Sequence, residues 1–221
     1  MENSTQGSKD DSLRFFGKIV ASNSHEIKNV MAIINEKAGL IKDLTLMAEK
    51  GVALDPAKIQ ALAEGLNIQI KRGDAIIKDM NKFAHSVDKD SYQVDLCELT
   101  ALMVRLAERF ALRLSVTLDL KFPETTLKIN THPFILESLI WDCLFFAMET
   151  SAKNQTVNIT INKPGDTAEL RFGLTGNRFT DPLQSFPGDS TKIFMKKLQA
   201  KVLIDSETGE LVLRLPADLQ L

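Results

Sequence analysis

The stretch Ser24-His25-Glu26-Ile27-Lys28-Asn29 places an imidazole, a carboxylate and a carboxamide close together along the chain. A neutral imidazole is a nucleophile towards phosphorus. One ring nitrogen can attack an aspartyl phosphate on another protein and hold the group as a labile phosphoramidate. Glu26 can accept a hydrogen bond from the other ring nitrogen. If the segment is helical, Asn29 lies one turn beyond His25 on the same side. The same residues also make an ordinary solvated helix surface, so the elements that carry them decide between the two readings.

Residues 13–49 read as one long helix. Val20, Ile27, Ile34 and Ile41 recur every seven residues, and Val30, Met31, Ala38 and Leu44 lie three or four positions from a member of that row, giving one broad apolar stripe. In this phase His25 falls on the sixth heptad position, opposite the stripe, and faces water. Gly51 ends the helix. Asp55-Pro56 opens a second one, since Asp can cap free amides and Pro fits a first turn. That helix runs to about Ser86 with the stripe Ile59, Leu62, Leu66, Gly73, Ile77, Met80 and Ala84, widened by Ile70 and Phe83. Two long helices on a short loop lie antiparallel, and a lone hairpin cannot cover both stripes. A two-fold pair of chains forming a four-helix bundle is the simplest solution; packing of the hairpin against the rest of its own chain is the alternative.

The pattern changes from about residue 92. A helix at 96–112, a strand at 115–122 and a strongly apolar helix at 132–151 precede strands at 155–163 and 167–174, joined by Pro164-Gly165-Asp166. A loop with Pro182, Pro187 and Gly188, a helix near 190–199 and a hairpin of 201–206 with 210–215, turned at Thr208-Gly209, complete the chain. This order implies an α+β sandwich with its helices on one face of a mostly antiparallel sheet. The expected divisions are a polar, disordered tail at 1–12, a hairpin at 13–87 and a sandwich at 92–221, with Asp88-Lys89-Asp90-Ser91 as the boundary.

A net charge of −2, with Lys mixed among Glu and Asp, disfavours a nucleic-acid or membrane surface, so the expected partner is a protein. No stretch reaches the apolar length of a membrane span, and the polar start is unlike a signal peptide, which points to the cytoplasm. Cys97 and Cys143 read as reduced thiols rather than a disulfide. His25, His85 and His132 share no metal-ligand spacing, so no metal site is expected. His85 and His132 read as structural or surface residues.

The segment 24–29 resembles the phospho-acceptor box of sensor histidine kinases, in which a serine, the phosphorylated histidine, an acidic, an apolar and a basic residue and an Asn or Thr follow one another at the start of a dimerising hairpin. Phe83-Ala84 followed by Val94-Asp95-Leu96-Cys97-Glu98-Leu99 looks like the junction to the ATP-binding domain of that family. The resemblance spans roughly residues 13 to 215. It implies a dimeric four-helix bundle followed by a Bergerat-like α/β sandwich, with His25 as phospho-acceptor, Glu26 as general base and Asn29 orienting water in dephosphorylation. Val30 stands where the family usually has Pro, so the helix kink associated with that Pro is not expected.

The same resemblance marks the nucleotide pocket as degenerate. The family's paired-asparagine helix corresponds to residues 136–147, with Asp142 at the first Asn and Phe146 at the metal-binding one; a phenyl ring cannot hold magnesium. The family's Asp-x-Gly-x-Gly stretch corresponds to Leu174-Thr175-Gly176-Asn177-Arg178, so the adenine-reading Asp is Leu174 and the second Gly is Arg178. The later glycine-rich lid keeps only Gly188. Trp141, Phe145 and Phe146 are expected to pack where a nucleotide would enter. Lys192, Lys196 and Lys197 read as the solvated face of a helix rather than a phosphate clamp.

A retained acceptor and a lost pocket resemble the ChpT-like histidine phosphotransferases. They imply a dimeric phosphorelay carrier that exchanges phosphoryl groups with receiver domains, needs no cofactor of its own and leaves magnesium to the receiver. Three alternatives stand beside it: a pseudo-kinase that only docks a response regulator, a divergent autokinase, and a phosphatase-biased regulator acting through Asn29.

Overall fold

The computed structural model describes residues 2–88, 90–179 and 186–216, with side chains from residue 12 onward. Lys89 of the expected boundary and Pro182 of the expected loop lie outside the described residues. The chain divides into two compact units, Gly17–Lys82 and a second that joins Met1–Phe16 to Phe83–Leu221.

The first unit is the hairpin. Helix α1 spans Glu2–Glu49 and α2 spans Pro56–Ala84. The helix therefore begins at Glu2, inside the polar segment expected to be a disordered tail; that segment contains no proline to break it. After α1, Gly51 takes φ +89°, with its N–H donating to Ala48 O at 3.0 Å and that of Val52 to Met47 O at 3.1 Å. A left-handed residue just past a helix end is inexpensive only for glycine. Asp55 opens α2 by accepting from the Ala57 N–H at 2.9 Å. The helices run antiparallel: Val30 faces Gly73, and Lys37 faces Gly65. A Cβ added at Gly73 would stand 3.3 Å from Val30 Cγ1, so the glycine lets the two helices approach closely. Val30 is buried, whereas Met31, Leu40, Met47, Ile68, Ile70 and Ile77 remain exposed on this unit.

The second unit is an α+β sandwich. A 3-10 turn at His85–Val87 leads to β1 (Tyr92–Asp95), α3 (Leu96–Leu114), β2 (Thr117–Lys121), β3 (Lys128–Thr131) and α4 (Pro133–Thr150). Strands β4 (Thr156–Asn162) and β5 (Thr167–Leu174), helix α5 (Asp189–Lys197), and strands β6 (Lys201–Ile204) and β7 (Leu211–Pro216) complete it. The five-stranded sheet has the order β2-β4-β5-β7-β6; β2 pairs parallel with β4 and the other pairs are antiparallel. Strands β1 and β3, not foreseen in the sequence, form a separate antiparallel ladder.

Asp95 caps α3 by accepting from Cys97 N–H at 2.9 Å and Glu98 N–H at 3.4 Å, and Pro133 starts α4. Alternate residues of the sheet point into the core: Val157, Ile159 and Ile161 of β4, Leu170 and Phe172 of β5, Leu211, Leu213 and Leu215 of β7. Helix α4 packs against β5 and β7, and α3 lies beside α4 and β2. An aromatic cluster closes one end of this unit. Phe15 meets Phe83 edge-on at 5.3 Å and lies 5.6 Å from Trp141, while Phe16 stacks on Phe83 at 5.4 Å. That cluster explains why Phe15, Phe16 and Phe83 group with the sandwich, although the sequence placed all three in the hairpin.

On the other face of the sheet, Arg171 of β5 bridges Glu169, Glu210 and Asp205, and Arg214 of β7 pairs with the buried Glu169. Backbone N–H groups of Glu207 and Thr208 also donate to Asp205. Arg171 first, with those amides, holds the Asp205 carboxyl down at about 2.

Candidate functional site

Within the hairpin, His25 and Asn29 are exposed and Glu26 is half-buried. The helical phase explains this. Val30 occupies the buried line against Gly73, and His25 and Asn29 stand away from it on α1. The Glu26 carboxylate accepts from the guanidinium of Arg72 on α2. Arg72 was not foreseen, because a cross-helix partner depends on the register of two helices rather than on spacing within one. The adjacent Gly73 was the available signal.

In the sandwich, Asp142 and Phe146 lie one turn apart on α4. Asp142 accepts from the Thr191 hydroxyl of α5 at 2.8 Å. The Phe146 ring stacks on Phe186 at 4.7 Å and on Phe179 at 5.7 Å. Leu174, at the end of β5, is buried among the apolar residues of the core. Arg178 is held by the β6–β7 turn: its Nε donates to Thr208 O at 3.1 Å and its guanidinium also reaches Glu207 O. Beside it, the Phe179 N–H donates to Gly209 O at 2.9 Å. Thr191, Phe179 and Phe186 complete this region and were not singled out in the sequence; the density of Phe around the loop was the only hint.

As a donor set, Asp142, Phe146, Leu174 and Arg178 do not fit a magnesium nucleotide. A divalent cation of this type needs oxygen ligands, and Phe146 offers none. Leu174 has no group to read an adenine amine. Trp141 stacks on Phe145 at 5.9 Å and meets Phe110 and Phe15, a set of ring contacts separate from those that Phe146 makes with Phe179 and Phe186.

His85 Nδ1 lies 2.7 Å from Asp88 Oδ2 on an exposed turn, and His132 is half-buried before Pro133. Lys192 pairs with Asp189 on its own helix at 3.3 Å. Cys97 and Cys143 are free thiols. Among the described residues no helix is long and apolar enough to cross a membrane.

No family model matches the sequence, and no curated protein does. Solved structures do match. The nucleotide-free catalytic domain of histidine kinase ThkA superposes with TM-score 0.50 at 12% identity, covering 60% of this chain and 100% of that one. The chain has a histidine-kinase-like fold. Histidine kinase ThkA in a crystal structure with response regulator TrrA covers 98% of this chain and 67% of that chain, with TM-score 0.50 and 16% identity. The α+β architecture, with N-terminal helices followed by a mixed sheet, thus matches a histidine-kinase-type ATP-binding α/β domain in fold.

Proposed function

We propose that this chain is a histidine phosphotransferase of a two-component relay, taking a phosphoryl group on His25 from a receiver-domain aspartate and passing it to a second receiver. One observation carries the reading: Phe146, which by the resemblance falls at the magnesium-binding position of the kinase helix, stacks on Phe179 and on Phe186, while His25 stands in solvent on α1. A donor other than ATP is then required. That ThkA forms a complex with response regulator TrrA supports a receiver as the partner class.

In the forward step a ring nitrogen of His25 attacks the phosphorus of the aspartyl phosphate. The N–P bond forms as the acyl P–O bond breaks, and the aspartate carboxylate leaves with the bonding pair. Glu26 stabilises the charge that develops on the ring and accepts a hydrogen bond from its second nitrogen. The reverse steps deliver the group to another receiver. Asn29 is the residue that would orient water where loss of phosphate competes. Magnesium, needed to shield the phosphoryl oxygens, belongs to the receiver. The exposed Met31, Ile70 and Ile77 support a second copy completing a four-helix bundle.

The test is to incubate the protein separately with radiolabelled ATP and with a labelled phospho-receiver. Label on His25 from the receiver alone supports the proposal. Label from ATP alone would make the chain an autokinase, and label from neither source would leave a docking module.

A further inference from the structure

We infer that Arg72 is a positioning residue of the phosphotransfer site, setting through Glu26 how strongly the phosphoryl group is held on His25; this rests on the relay reading above. The Arg72 guanidinium is hydrogen-bonded to Glu26 Oε1, with side-chain exposures of 53% for Arg72 and 21% for Glu26. Glu26 follows His25 in the chain, so the cation is paired with the residue next in sequence to the one that reacts. The contact is built into the fold. Gly73, next to Arg72, has no Cβ to stand against Val30 Cγ1, and the resulting close approach of α2 brings Arg72 within reach of α1.

Attack by His25 leaves positive charge on the imidazole ring once the N–P bond forms. A bare carboxylate beside it would stabilise that product and hold the phosphoryl group on the histidine. A carboxylate already paired with a guanidinium through one oxygen has part of its charge neutralised. The phosphohistidine is then less favoured, and the group leaves readily for the next aspartate. A carrier must release as easily as it accepts, so an arginine at this place suits a relay rather than a store.

The experiment equilibrates labelled phospho-receiver with the full chain as wild type, Arg72→Gln, Arg72→Lys and Glu26→Gln, and as the double variant Arg72→Gln/Glu26→Gln. Label partition and the pH–rate profile are read for each. Arg72→Gln is expected to shift label towards His25 by about 1.5-fold to fivefold, the range of a partly exposed ion pair, and to move the rising limb of the profile to higher pH. Arg72→Lys, which keeps the charge, should fall between the two. The shift should vanish in the Glu26→Gln background, because the two residues act as one unit. An unchanged partition and profile in Arg72→Gln, loss in Arg72→Lys as complete as in Arg72→Gln, or an equal shift without Glu26 would overturn the inference while leaving the relay intact. A wild-type protein that takes no label overturns both.

Discussion

The rings of Phe146 and Phe186 stack with centroids 4.7 Å apart and planes 14° from parallel. Phe179 stacks on the same Phe146 ring at 5.7 Å, so Phe146 of α4 is one member of a small aromatic core.

From this stack we expect magnesium ATP at millimolar concentration to leave the melting temperature unchanged. A ligand present at a hundredfold its Kd would add about 2.7 kcal/mol, a shift of several degrees that calorimetry resolves. Phe146→Asn should lower stability by about 1–3 kcal/mol through lost ring contacts. It should not create ATP binding, because Leu174 and Arg178 remain.

Glu137 of α4 is almost fully buried, and its Oε2 has no hydrogen-bond partner among the described residues. Burial pushes its carboxyl up to about 8, against a smaller opposing pull from Ser86. The folded protein therefore holds this proton more tightly than the unfolded chain does. Its stabilising contribution is complete below pH 4.5 and is lost as pH rises through 8. Urea melts should show stability falling across that window by up to about 1.4 kcal/mol per pH unit. Glu137→Gln should flatten this component, and an equal slope in wild type and variant would refute it.

Gly209 takes φ +70°, and a Cβ there would meet Arg178 Cβ at 2.7 Å. Gly209→Ala should cost about 1–2 kcal/mol from backbone strain alone, with crowding added. Denaturant unfolding measures it; a neutral result would contradict the described turn.

The exposed Ile70 and Ile77 share one side of α2. Sedimentation of the wild type should give a dimer, and Ile70→Asp/Ile77→Asp should give a folded monomer. A wild-type monomer would remove the four-helix bundle from the proposal.

The long elements were legible because their apolar residues repeat over many turns: the α1 row from Val20 to Ile41 and the capping pair Asp55-Pro56 leave little choice of phase or start. The strands β4 and β5 were legible from alternation around Pro164-Gly165-Asp166. Strands β1 and β3 were not. Four residues carry almost no periodicity, and Val94 pairs with Ile129 only after the chain has passed through α3 and β2. In the site, the exposure of His25 followed from the heptad phase. Its environment did not, since Arg72 reaches Glu26 only through the approach that Gly73 permits. Likewise Asp142 and Phe146 could be placed on a helix, but Thr191, Phe179 and Phe186 come from later segments whose path no local pattern specifies.

The central claim is that His25 carries a phosphoryl group between receivers. The most direct measurement charges the protein with labelled phospho-receiver, isolates it, maps the label by alkali-stable, acid-labile phosphopeptide analysis, and then adds a second, unlabelled receiver. The account predicts label on the His25 peptide, its transfer to the second receiver, and neither event in His25→Gln. Label that fails to reach the protein, or that reaches it equally in His25→Gln, would contradict it.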